Sequence, residues 1–133
     1  MKTISASRRA KPERITGIAH VFAAAGYSIG GLRRLWQETA FKHIVFALAA
    51  SMVLLAIAGA TFGDYCILFV LFFGLVAVEA LNTAIECLVD HLTADWEEFA
   101  RDAKDLGSLA TMCLLIANAM FLVSVVIRYF ILS

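Results

Sequence analysis

Three carboxylates, Glu79, Glu86 and Asp90, fall in or beside an otherwise apolar run over residues 67–89. An acid near the centre of a membrane-spanning helix costs about 2.5–3.5 kcal/mol on insertion scales, so such residues face a partner or a wet cavity. At about 100° per residue, the three project within roughly 40° of one another, with Asn82 about 60° to one side. Glu79 and Glu86 lie about 10 Å apart along the axis, and Asp90 is a further turn outward. A stripe of hard oxygen donors suits Mg²⁺, which takes one or two carboxylates plus substrate phosphates. Glu38, on the polar face of an upstream helix, could add a carboxylate, and Lys104 could neutralise phosphate oxygens. One acid would remain as a base. The bland alternatives are polar glue between helices for the acids, a solvated face for Glu38 and an interfacial anchor for Lys104. Three carboxylates on one face, with no basic residue in the same span, weigh against glue. A proton- or cation-conducting path stays open.

Standard soluble-enzyme motifs are missing. There is no GxxxxGK[ST] and no GxSxG, and Gly26, Gly30 and Gly31 do not make GxGxxG. His20, His43 and His91 do not cluster. Cys66, Cys87 and Cys113 are odd in number, far apart and set in apolar stretches, so they are expected to be small buried hydrophobes. A soluble-type kinase, a hydrolase or a zinc enzyme is unsupported.

The elements that must position these residues are legible from composition. Of 133 residues 62% are hydrophobic and 17% charged, with one proline, and the mean hydropathy is +0.84. That excludes a disordered chain, a disulfide scaffold and a two-domain soluble enzyme, and leaves a single small membrane domain over residues 1–133. Residues 44–63, 67–89 and 106–127 are long enough to cross about 30 Å of hydrocarbon, with a polar hinge over 64–66. Ile15, Ile18, Phe22, Ala25, Ile29, Leu32 and Trp36 recur at spacings of three and four. They predict an amphipathic helix over 15–39 lying in the interface, behind a basic arm over 1–14. The fold class is therefore all-α: three transmembrane helices plus an N-terminal interfacial helix.

Of the eleven Lys and Arg residues, Lys2, Arg8, Arg9, Lys11, Arg14, Arg33, Arg34 and Lys42 precede the first span, and Arg101 and Lys104 lie between the second and third. The N-terminus and the 90–105 loop are accordingly expected on the cytoplasmic side. A turn near Thr93 should separate a helical extension of the second span from the run into the third. The first 43 residues hold no apolar h-region, so the chain is expected to be retained whole.

The run EALNTAIE over 79–86 with VD at 89–90, then AKDLGS over 103–108, resembles the signature of the small bacterial diacylglycerol kinase family. Upstream, AGYS over 25–28, GGLR over 30–33, Trp36, and Glu38 before Ala40 and Phe41 resemble its N-terminal motif. His20 stands where the family carries a basic residue, and Ile29 where tryptophan is common. The resemblance implies an ATP-dependent lipid kinase of the bacterial inner membrane that converts diacylglycerol to phosphatidic acid and works as a homotrimer with shared sites. It implies Glu79 as the general base and Glu38 and Glu86 as holders of Mg²⁺, with Asn82 beside them. Tyr27, Lys104 and Asp105 would contact the nucleotide, while Asp90, Asp95 and Glu97 line the same pocket. Ala25, Arg33, Trp36 and Ser108 would fall near the lipid. An undecaprenol kinase shares this chemistry with another acceptor. A small oligomeric ion conductor and a structural membrane subunit are the readings from other classes.

Overall fold

The computed structural model describes residues 17–93, 95 and 97–131. Every regular element among them is helical: α1 (Ile18–Leu35), α2 (Thr39–Ala58), α3 (Phe62–Leu92) and α4 (Glu98–Val126), the last running on as a π-helical turn over Ile127–Ile131. The helices α2, α3 and α4, the last with its π turn, are each long and apolar enough to cross a membrane. Ile15, the basic arm, Ala94, Trp96 and the last two residues lie outside the described residues.

Helices α1 and α2 are joined at a tight corner, so the helix expected over 15–39 ends at Leu35. Gln37 N–H donates to Arg34 O and Glu38 N–H to Leu35 O. Glu38 then adopts an extended conformation as N-cap of α2. Phe22, Ile29 and Leu32 stay exposed along α1, and Trp36, just past its end, is half exposed and meets Phe41 of α2.

The hinge after α2 falls at 59–61 rather than at 64–66. Gly59 ends α2 in the left-handed region (φ 66°), where a side chain would be strained, and Ala60 N–H closes onto Leu55 O. Thr61 is the N-cap of α3, and its N–H and hydroxyl both donate to Asp64 Oδ2, at 2.9 and 2.8 Å. Asp64 is thus a first-turn helical residue whose carboxylate satisfies an exposed helix end. It is buried, 2% exposed, and also accepts hydrogen bonds from Arg128 and Tyr129 in the π turn, both at 2.8 Å.

The helices α3 and α4 form an antiparallel pair. Arg128 meets Asp64, Asn118 reaches Leu71 O, Thr111 meets Glu79, and Gly107 lies against Asn82. Thr93 caps α3, and α4 starts at Glu98, which agrees with the expected turn. Leu55, Leu68 and Val125 make the buried core where α2 joins the pair. Large apolar side chains such as Phe46, Phe62, Val70 and Met120 are exposed. Hydrocarbon around a spanning helix is as apolar as leucine, so nothing drives them inward. The same reason corrects the expectation for the cysteines: Cys66, Cys87 and Cys113 are exposed, not buried.

Candidate functional site

Helix α3 is 31 residues long, about 46 Å at 1.5 Å per residue, so it outruns the roughly 30 Å of hydrocarbon. Its acidic stripe therefore runs from within the span to its projecting end. Going round the helix at about 100° per residue, the stripe has a neighbour on each side. Asn82 meets α4 at Gly107. Ala80, Thr83, Ala84 and Cys87 line a cavity of about 170 Å³ with Gly31, Arg34 and Leu35 of α1. Glu79, Glu86 and Asp90 project between those two contacts.

Each acid of the stripe is held by one neighbour. Glu79 is 4% exposed, and its Oε2 accepts from Thr111 Oγ1 at 3.2 Å. Glu86, half-buried, accepts from Asn82 Nδ2 at 3.1 Å through Oε1. Asp90 is exposed and pairs with Lys104 Nζ at 2.5 Å across the α3–α4 gap. Asn82 Oδ1 is the one buried side-chain polar atom without a partner among the described residues, and it faces Gly107, where any Cβ would overlap it. Beyond Glu86 a cavity of about 300 Å³ is lined by Val89, Asp90, Thr93, Asp95, Glu97, Ala100, Arg101 and Lys104. Charged groups of both signs thus line one pocket at the projecting end.

Glu38 stands at the α1–α2 corner, where it pairs with Arg34. Arg34 also donates to Cys87 Sγ on α3 at 3.5 Å. The hydrogen bond to Glu38, then the one to Cys87, raises the guanidinium pKa above its ordinary value. Tyr27, Ala25 and Arg33 are exposed on α1, and Trp36 packs edge-on against Phe41. Asp105 and Ser108 are exposed on α4. The single chain therefore brings together Glu79, Asn82, Glu86, Asp90, Asp95, Glu97 and Lys104, and leaves the α1 residues beside them. No three His, Cys, Asp or Glu side chains converge as a metal cage among the described residues.

Sequence reasoning missed Arg34, Gly107 and Thr111 as parts of this site. Gly107 lies inside the AKDLGS run, and Thr111, one turn further, is a polar residue in an apolar span. Those signals are faint, because each acquires meaning only from the helix packed against it.

Fold and site together define a helical membrane protein with a buried carboxylate leading to a charged pocket at one end of its helices. The family model for prokaryotic diacylglycerol kinase matches residues 26–127. A diacylglycerol kinase of Sinorhizobium sp is 49% identical over 115 residues, covering 86% of this chain and 84% of that one. The Escherichia coli (strain K12) diacylglycerol kinase is 33% identical over 102 residues, 76% of this chain and 84% of that one. A Helicobacter pylori relative of the same name is also 33% identical over 102 residues, 76% and 80% of the two chains. The chain belongs to the prokaryotic diacylglycerol kinase family: it is a bacterial membrane enzyme, a lipid kinase.

Proposed function

We propose that the protein transfers the γ-phosphoryl group of MgATP to the free hydroxyl of 1,2-diacylglycerol, giving phosphatidic acid and ADP, with Glu79 as general base. The observation that carries this reading is the buried Glu79, on the same face of α3 as Glu86 and as Asp90, which lines the charged pocket at the projecting end. A lipid hydroxyl entering from the bilayer and a nucleotide entering from water would meet along that stripe. The hydroxyl O–H bond breaks and its proton passes to Glu79. The oxygen bonds to the γ-phosphorus, and the bridging P–O bond breaks with its electron pair leaving on ADP.

Phosphoryl transfer consists mainly of positioning and charge neutralisation, so no P-loop is needed. The carboxylates present are hard oxygen donors, the class Mg²⁺ takes. Glu38 and Glu86 would hold it, and when bound it neutralises phosphate charge. Asn82 fixes the Glu86 carboxylate. Lys104, with Asp90, Asp95, Glu97 and Asp105, faces the nucleotide, and Tyr27 closes over it. Ala25, Arg33, Trp36 and Ser108 border the lipid. The single membrane kinase domain assembles as a homotrimer with shared sites. That arrangement gives Tyr27, Arg33 and Trp36, which lie off the α3 stripe of their own chain, a neighbouring stripe to complete. The excess of Lys and Arg before α2 supports a cytoplasmic N-terminus in the inner membrane.

The test uses purified protein in mixed micelles with Mg²⁺ and ATP labelled at the γ-phosphate, offering diacylglycerol and undecaprenol in parallel. Label should enter diacylglycerol, and Glu79→Gln should lower the rate by about 10²–10⁴-fold, the usual contribution of a general base. Label in undecaprenol alone would change the acceptor. An active Glu79→Gln enzyme would remove the base.

A further inference from the structure

We infer that Thr111 is the positioning residue for Glu79: its hydroxyl occupies Oε2 and leaves Oε1 as the oxygen that takes the proton. This rests on the reading of Glu79 as the base. Thr111 Oγ1 lies 3.2 Å from Glu79 Oε2 and 3.5 Å from its own helix carbonyl, Gly107 O. A hydroxyl has one hydrogen to donate. The carboxylate contact is the shorter of the two, and a carboxylate that serves as base is the stronger acceptor. The hydrogen therefore goes to Glu79.

Oε1 accepts no hydrogen bond from any described residue. Among described residues Glu79 thus has one oxygen fixed and one free. A carboxylate held at one oxygen cannot swing about its terminal bond without breaking that contact, so Oε1 keeps a defined direction. The contact depends on how closely the helices approach. Gly107, one turn from Thr111, lies against Asn82, one turn from Glu79. The missing side chain at 107 lets α4 come near enough for a hydroxyl as short as threonine's to bridge the gap.

The experiment compares Thr111→Val, Thr111→Ser and Glu79→Gln in the labelled-ATP assay. Valine keeps the branched shape and removes the hydroxyl, while serine keeps the hydroxyl. Thr111→Val should lower kcat about tenfold with KM for ATP and lipid within twofold of wild type, within the range for a misaligned catalytic group. Thr111→Ser should restore most of kcat. The infrared carboxylate stretch of Glu79, isolated by difference against Glu79→Gln, should shift in the valine variant and return in the serine variant. Should the valine variant fail to assemble, Thr111→Ala gives the same comparison. Wild-type kcat in Thr111→Val, or a loss confined to KM, overturns the inference if Glu79→Gln is inactive. An active Glu79→Gln removes the base reading and this inference with it.

Discussion

Gly107→Ala tests whether the close approach of α3 and α4 matters to the chemistry. A Cβ at 107 would overlap Asn82 Oδ1 and lie 3.1 Å from Asn82 Cγ and 3.7 Å from Asn82 Cα. Two relaxations are available. If the Asn82 side chain rotates away, the bond from Nδ2 to Glu86 Oε1 is lost, and a hydrogen bond to a charged group is worth about 1.5–3 kcal/mol. If the helices separate instead, overpacking costs about 1–3 kcal/mol and the Thr111–Glu79 contact stretches. Alanine returns about 1 kcal/mol of helix propensity over glycine. The net change in stability should therefore be small, about 0–2 kcal/mol. Activity should fall further, because Asn82 and Glu86 would no longer share one geometry. At 1.4 kcal/mol per tenfold, the lost bond corresponds to about a 10–100-fold drop in kcat/KM. Thermal unfolding in micelles and the labelled-ATP assay measure the two quantities on one preparation. In the Asn82→Ala background the clash is gone, so Gly107→Ala should cause little further loss. A Gly107→Ala enzyme with wild-type kcat/KM would refute the reasoning, since it would mean that Asn82 can leave Glu86 without consequence.

The remaining expectations concern the two ends of the pair and the metal. Asp64→Ala removes a buried carboxylate that accepts from Thr61, Arg128 and Tyr129; because Arg128 is half exposed, the expected loss is about 2–4 kcal/mol in chemical unfolding, below the full value for a buried pair. Its KM values should stay near wild type, since Asp64 lies at the end of α3 opposite Asp90; a selective rise in KM for ATP would contradict that separation. Lys104→Ala should leave stability within about 1 kcal/mol, because its pair with Asp90 is solvent-exposed, while raising KM for ATP and not for lipid. Chelation with EDTA should stop label transfer, and added Mg²⁺ should restore it.

Periodicity and uninterrupted apolar length alone determined the all-α membrane class, the number of spans and the common face of Glu79, Glu86 and Asp90. These are one-dimensional properties: a helix fixes the angle between residues whatever surrounds it. The position of the hinge was written in the sequence as Gly59 and the Thr61–Asp64 pair, but Asp64 reads as a loop residue until its cap partners and Arg128 are seen around it. The inward placement of the cysteines was wrong, because an apolar neighbourhood in sequence does not distinguish a protein neighbour from hydrocarbon. Only the tertiary structure decided the contacts of Thr111 with Glu79, Gly107 with Asn82 and Arg34 with Cys87. The first two depend on the register and distance of two antiparallel helices, and the last on how α1 lies against α3. Register and distance are set by side chains far apart in the chain, so no local pattern encodes them.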